Sequence, residues 1–280
     1  MTSPGKGTTQ SGFNPLWLGT LQAKASRPPL RPRRDLLLNG QRIGSVEADC
    51  FKRIIPGGHS LKMKTFALEL RADACWHITG QGTEALAHIA EVCRVENIGC
   101  VREQWRDELL AVFSPENRQL AAVERGIARL LGLATRAVHL VGYTSTGQIW
   151  VQQRSFDKAI DPGLWDTLVG GLVPASDNLT TALVRETWEE AGIKLAFVQQ
   201  LHAGGRVFVQ HPNARDDGVG YVVEQIDWFA GVIPDSITPM NQDGEVVQFA
   251  LLQPSELKTQ LESNAFTLDA SFILSSVLSR

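Results

Sequence analysis

The sequence predicts an α/β protein, a three-layer α/β/α sandwich built on a mixed sheet and preceded by a small α+β unit. Three observations support this. Apolar residues alternate at the strand period over 137–142 and 148–153, and 220–228 and 246–252 are further strand-like runs. One strongly patterned helix over about 178–191 lies among those strands, and helix-spaced stretches at 255–261 and 268–278 close the chain. Upstream, a separate set of short strands and one helix fills 35–115. Helices covering both faces of one sheet give the layered architecture.

With 280 residues, 43% of them hydrophobic, the chain can bury one large core or two modest ones. The expected division is a flexible segment over 1–34, a small α+β domain over 35–115 and a larger domain over 116–280. Residues 1–13 are rich in Gly, Ser, Thr and Pro and are expected to be mobile, and the basic, Pro-rich run 27–34 reads as a solvated linker. A net charge of −3 gives no general attraction to nucleic acid or membrane. Cys50, Cys75, Cys93 and Cys100 show no CxxC spacing and read as reduced, buried thiols. No apolar run reaches transmembrane length and the N-terminus lacks a signal pattern, so a cytoplasmic location is expected.

Taken in order, Asn39-Gly40 between apolar runs predicts a hairpin over 36–44. A strand follows at 66–70, then a helix at 84–95 with Leu86, Ile89, Ala90, Val92 and Cys93 inward, and a strand at 105–113. Leu120, Val123, Ile127, Leu130 and Leu131 at helical spacing predict a connecting helix over 118–131. Strands at 137–142 and 148–153 form a hairpin around Thr144-Ser145-Thr146-Gly147, and a strand over 165–173 leads into the central helix. Strands are expected beyond it at 195–201, 205–209, 220–228 and 246–252.

Residues 171–193 carry the chemistry. Pro174, Ser176, Asp177 and Asn178 supply turn and cap residues, and Gly192 stands where a helix ends. At about 100° per residue, Leu179, Leu183, Val184, Thr187 and Ala191 form a mostly apolar stripe, with Glu186, Glu189 and Glu190 gathered on its flank. Like charges three and four residues apart repel, and the helix C-terminus adds negative potential. Arg185 offsets part of this. A hard divalent cation such as Mg²⁺ or Mn²⁺ would offset the rest, and a solvated acidic face is the alternative reading.

The stretch resembles the Nudix box, Gly-x5-Glu-x7-Arg-Glu-U-x-Glu-Glu-x-Gly-U, with U a bulky aliphatic residue. Gly171, Arg185, Glu186, Glu189, Glu190, Gly192 and Ile193 match in register, while Asp177 replaces the first Glu and Thr187 the first aliphatic residue. At a background of roughly 6% per position, a chance match of the six Gly, Arg and Glu positions is on the order of one in a hundred thousand. The similarity runs over about 105–280, through 124–133, 138–143, Trp150, Arg154, Ser155, Lys158, 161–166 and 239–246. It is to a Nudix subfamily with a small N-terminal domain, fused in some fungi to thiamine pyrophosphokinase.

The resemblance implies a Mg²⁺- or Mn²⁺-dependent hydrolase of organic diphosphates, with thiamine diphosphate or an oxidised analogue as substrate. It also implies the site. Glu189 and Glu190 would be metal ligands, Glu186 a ligand or the base, the Gly170 carbonyl a further ligand and Arg185 the organiser of the acids. Glu245 is the expected extra carboxylate, with Glu224 as fallback on a strand that would turn it to solvent. Arg154 and Lys158 read as phosphate-gripping cations or as a surface pair. Trp165, Trp150 and Trp228 offer flat surfaces to a substrate ring or pack in the core, and His139 reads as a satisfied core histidine. The expected partner is a small-molecule diphosphate, with no nucleic acid or membrane, and a homodimer is left open. Other substrates under the same resemblance are nucleoside diphosphate derivatives such as ADP-ribose, NADH or oxidised guanine nucleotides. Two other functions share the fold: a prenyl diphosphate isomerase, which would need a cysteine near the glycine strand, and a non-catalytic ligand sensor. Every cysteine here lies before residue 101.

Overall fold

The Asn39-Gly40 dipeptide closes a tight hairpin between β1 (Arg33–Leu38) and β2 (Gln41–Glu47), with both turn residues at positive φ (49° and 83°). The structure is a computed structural model and describes residues 12–279 apart from 56 and 58. The mobile stretch expected over 1–13 therefore lies almost wholly outside the described residues. β1 pairs in parallel with β5 (Trp76–Gly80), and β3 (Ser60–Lys62) and β4 (Phe66–Leu70) complete a five-stranded sheet of order β2-β1-β5-β4-β3. The helix α2 (Gly82–Val95) buries Ala85, Leu86, Ile89, Ala90 and Cys93, on the spacing the sequence shows, and the single turn α3 (Val101–Gln104) follows it.

Part of the flexible segment expected before this sheet is ordered. α1 (Pro15–Ala25) starts at Asn14, whose side chain accepts from the Leu16 N–H, and buries Trp17, Leu21 and Ala25 in the core around the last helices. Beyond it the Arg27 N–H bonds to the Gln210 carbonyl at 2.9 Å. Arg33 is no solvated linker residue either: it is part-buried and donates to the Ser45 hydroxyl and the Leu130 carbonyl, both at 3.0 Å, and to the Val219 carbonyl.

The connecting helix over 118–131 is not formed. β6 (Leu109–Phe113) and β7 (Gln119–Glu124) make a two-stranded hairpin instead, followed by the single turn α4 (Arg125–Ala128). Asn117 at φ 69° and the Ser114 N–H to Arg118 carbonyl bond (2.8 Å) close the hairpin, and Ala121 and Val123 alternate inward. Gly126 would be a weak helix interior residue, and a Cβ there would stand 2.7 Å from the Gln104 carbonyl oxygen. The strand expected over 105–113 starts only at Leu109, because Asp107 turns to φ 55° and takes the Trp105 Nε1–H at 2.7 Å. The hydrophobic core begun at Leu36 runs on through Leu131 and Leu133, so it does not divide near residue 115.

The larger sheet has seven strands. β10-β9-β8-β13-β12 is its main order, where β8 is Ala134–Tyr143, β9 Ile149–Arg154, β10 Trp165–Asp166, β12 Gln199–Pro212 and β13 Tyr221–Val232. β11 (Val169–Leu172) pairs with β8, and β14 (Val246–Leu252) with β9; β8 and β13 run parallel, which makes the sheet mixed. Where one strand was expected over 165–173 there are two. The Thr167 N–H bonds its neighbour Asp166 and the Thr167 hydroxyl bonds the Val169 carbonyl, both at 2.8 Å, so side chains satisfy the backbone where the ladder breaks. Residues 195–197 form a short 3-10 turn, and the strands expected at 195–201 and 205–209 merge into the bulged β12.

Helix α5 (Leu179–Ala191) covers one face with Val138, Leu140, Ala182 and Leu183, while α1, α6 (Pro254–Glu262) and α7 (Leu268–Leu278) cover the other with Ala137, Val141, Leu257 and Leu274. This is the expected α/β/α sandwich. No helix among the described residues is long and apolar enough to cross a membrane. Truncating Trp17, 9% exposed and stacked on Phe13 at 5.0 Å, is expected to cost about 3 kcal/mol in urea unfolding of Trp17→Ala. A change within ~0.5 kcal/mol would show that α1 does not hold to the sheet.

Candidate active site

α5 is anchored at both ends by the residues the sequence marks. Asn178, rather than Asp177, is its cap, accepting from the Thr180 and Thr181 N–H groups at 2.9 and 3.0 Å while the Thr181 hydroxyl takes the Asn178 N–H. Gly192 ends it at φ 65°. Thr187, in the place of an aliphatic residue, is fully buried and returns its hydroxyl proton to the Leu183 carbonyl at 2.6 Å. Val184, placed on the apolar stripe, is 47% exposed; the buried flank runs through Ala182 and Glu190 instead.

Asp177 is thereby free to do something else. Its carboxylate accepts from Arg185 Nε at 3.2 Å, and the same guanidinium reaches Glu189 at 2.8 Å and Glu186 at 2.9 Å. One cation gathers three carboxylates. Burial works against the Arg185 charge, but Glu186, Asp177 and Glu189 outweigh it and raise its pKa. Glu186 is mostly buried, and that burial lifts its carboxyl above the usual range against the pull of Arg185.

Glu190 lies behind these, 2% exposed. Its Oε2 accepts from the Gln152 amide at 2.9 Å and the Gly170 N–H at 2.8 Å, and Oε1 faces Lys158 Nζ at 3.9 Å. Burial raises its carboxyl, Lys158 pulling it back, while burial also lowers the Lys158 ammonium. Lys158 bonds Glu245 as well.

The two glycines entering the helix are demanded by their neighbours. A Cβ on Gly170 would stand 2.5 Å from the His139 ring, and one on Gly171 would stand 2.1 Å from the Glu186 carboxyl carbon. His139 is buried; Thr167 spends its hydroxyl proton on Val169, so His139 Nδ1 carries a proton and donates to it at 2.8 Å. Burial holds the imidazole below its ordinary pKa, hence neutral.

These groups line a cleft of ≈ 280 Å³ that brings together Arg154, Lys158, Gly170, Arg185, Glu186, Glu189 and Glu245. Glu190 sits behind its wall. Trp165 is not among its lining residues: its strand neighbour Asp166 is, while Trp165 packs with the hydrophobic layer of α7 beside Phe266. Trp150 and Trp228 belong to the two hydrophobic layers too. Glu224 does not face solvent as its strand position suggested. It is buried, accepts the Thr135 hydroxyl at 2.9 Å and lines the cleft.

Sequence reasoning missed Glu108, Arg125 and Arg129, which reach the cleft from the hairpin and turn that were read as a strand and a connecting helix. The Arg125–Glu108 pair (2.7 Å) is visible only once β6 and β7 are known to be neighbours. No three acidic, histidine or cysteine side chains among the described residues form a ready-made metal cage. The donors are hard carboxylate oxygens nonetheless, and two cations, Arg185 and Lys158, stand among them as charge compensation. That donor set fits a hard divalent ion, with Glu186, Glu189 and Glu190 as the residues that could hold it.

A NUDIX domain model matches residues 133–272. The chain is similar to chloroplastic Nudix hydrolases 20 and 24 of Arabidopsis thaliana, 32% identical over 64% of this chain and 31% identical over 67% of it. It spans about half the length of those relatives, 48% and 51%. Among solved structures, a Deinococcus radiodurans protein, DR0079, superposes with a TM-score of 0.47 at 18% identity, covering 59% of this chain and 97% of that one. The Nudix domain of Shewanella oneidensis NrtR complexed with ADP ribose superposes at 0.40 and 15% identity, covering 53% and 87%.

Gly171→Ala forces the Glu186 carboxyl out of its place beside Arg185. Mn²⁺ binding, followed by electron paramagnetic resonance titration, is expected to weaken about tenfold or more with secondary structure unchanged. Unchanged affinity would mean that Glu186 takes no part in holding the ion.

Proposed function

Because the chain belongs to the Nudix family, matched over half its length, we propose that it is a divalent-metal-dependent hydrolase of organic diphosphates. The observation that carries this reading is one cleft that holds Glu186 and Glu189, gathered with the neighbouring Asp177 on Arg185, beside two further cations, Arg154 and Lys158. Negative charge for an ion and positive charge for phosphate oxygens stand side by side.

Glu186, Glu189 and Glu190, with the Gly170 carbonyl and Glu245 near them, would hold Mg²⁺ or Mn²⁺. When bound, such an ion lowers the pKa of its water and neutralises diphosphate oxygens. The chain's own groups do the rest. Glu186, with its carboxyl raised by burial and so made a stronger base, is placed to accept the proton of the attacking water. Arg185 keeps Glu186 and Glu189 in register, and Gln152 with the Gly170 N–H fixes Glu190. Lys158 and Arg154 meet the phosphate oxygens, Arg154 being pre-set by its bond to the Ile160 carbonyl at 3.0 Å.

Thiamine diphosphate or an oxidised analogue enters as substrate on the sequence resemblance alone, and nucleoside diphosphate derivatives stand beside it. Mass spectrometry of products from thiamine diphosphate, its oxidised forms, ADP-ribose, NADH and oxidised guanine nucleoside diphosphates, with Mg²⁺ or Mn²⁺, tests the reading. Turnover is expected to fall about 10²–10⁴-fold in Glu186→Gln, and Glu189→Gln is expected to raise the metal concentration needed. Diphosphate binding with no product from any compound would replace the hydrolase with a ligand sensor.

A further inference from the structure

Beyond the acidic cluster the cleft opens into a recess of ≈ 60 Å³ whose walls carry Arg106, Arg125, Arg129 and Arg215. The two spaces share Arg125, Arg129, Ile160, Leu172 and Glu224. The recess is well above the ~10–15 Å³ that a single water needs, so it has room for a small anion.

Four arginines line this one recess, and three of them, Arg106, Arg125 and Arg215, repel one another. Burial lowers the Arg106 pKa, and Arg125 and Arg215 lower it further. Arg106 gives its protons to two neutral carbonyls, Glu103 and Trp105, and Arg125 pairs with Glu108. Among the described residues no side-chain hydrogen bond or ion pair is made by Arg129 or Arg215. The carboxylates facing them are otherwise engaged or shared. Glu124 accepts the backbone N–H groups of Arg106 and Gly126 at 2.8 and 3.2 Å, Glu224 takes the Thr135 hydroxyl, and Asp161 and Asp269, which line the larger space with Arg129, interact with its charge.

Three separate segments converge to make this concentration of charge: the loop before β6, the turn α4 and the loop after β12. We propose that Arg106, Arg125, Arg129 and Arg215 form a second anion subsite, which takes a phosphate group that the substrate carries apart from its diphosphate. Planar guanidinium forks suit phosphate oxygens, and an anion there relieves the repulsion. The substrate class narrows accordingly to organic diphosphates bearing a further phosphate monoester. This rests on the diphosphate-hydrolase reading for the neighbouring acids, and it disfavours thiamine diphosphate, which has no such group.

Calorimetric titration with inorganic phosphate, in EDTA so that no metal bridges it to the acids, tests the subsite apart from catalysis. Wild type and Glu189→Gln are expected to bind alike, and Arg129→Gln/Arg215→Gln about tenfold more weakly or worse. Arg215→Gln alone should lie between, with circular dichroism reporting the fold. The same titration compares NADPH with NADH and coenzyme A with its 3′-dephospho form. At least one phosphorylated member should bind about tenfold tighter to wild type, with the preference gone in the double variant. Phosphate binding that the arginine substitutions leave intact, or that Glu189→Gln abolishes, overturns the subsite. Equal affinity within both pairs overturns the substrate class. Absence of hydrolysis of the preferred compound when Mg²⁺ or Mn²⁺ is supplied, with these preferences intact, would strike the hydrolase reading and leave the subsite standing.

Discussion

Everything about the cleft follows from one electrostatic constraint: three glutamates within five residues at the negative end of a helix, one of them wholly buried. Such a group holds together only if positive charge is brought to it. Arg185 supplies that charge from within the helix and Lys158 from the loop after β9. The approach of Gly170 and Gly171 then becomes compulsory, because the space a side chain would need belongs to His139 and Glu186. The substitution of Asp for Glu at 177 fits the same logic. A shorter acid still reaches Arg185, since the neighbouring Asn178 has taken over the helix cap.

The parts of this that were legible in the sequence are those with local causes. The caps of α5, the Asn39-Gly40 turn and the inward face of α2 are each written in a few adjacent residues. What was not legible depends on distant partners. Residues 118–131 satisfy a helical spacing, yet the hairpin wins because β6 lies opposite and Ala121 and Val123 fill the core around α2. Glu224 looked outward on an alternating strand, but Thr135 on the parallel neighbour and the cleft beside it define which side is inside. Trp165 offered an aromatic surface on paper, and the break at Thr167 decides that it packs beneath α7 instead.

The N-terminal third is bound into the whole by the same kind of nonlocal contact. Arg33 spans from its own strand to the carbonyls of Leu130 and Val219, and the Ala175 N–H, just past β11, bonds the Leu109 carbonyl at 2.7 Å. Leu172 packs against the cores on both sides. The hairpin β6–β7 is therefore held at the rim of the cleft, which is how Glu108 and Arg125 come to line it.

The origin of the two charge clusters has a consequence for how such a chain can diverge. The acids and their organiser lie on one short helix and the loop feeding it, and each constrains the next so closely that a single methyl group at Gly171 disturbs them. The arginines come from three segments scattered over more than a hundred positions, and among the described residues only Arg125 of the four has a carboxylate ion-pair partner, Glu108. Descent with modification can thus alter the arginine-bearing loops one at a time, while the acidic helix and its organiser are inherited as a block.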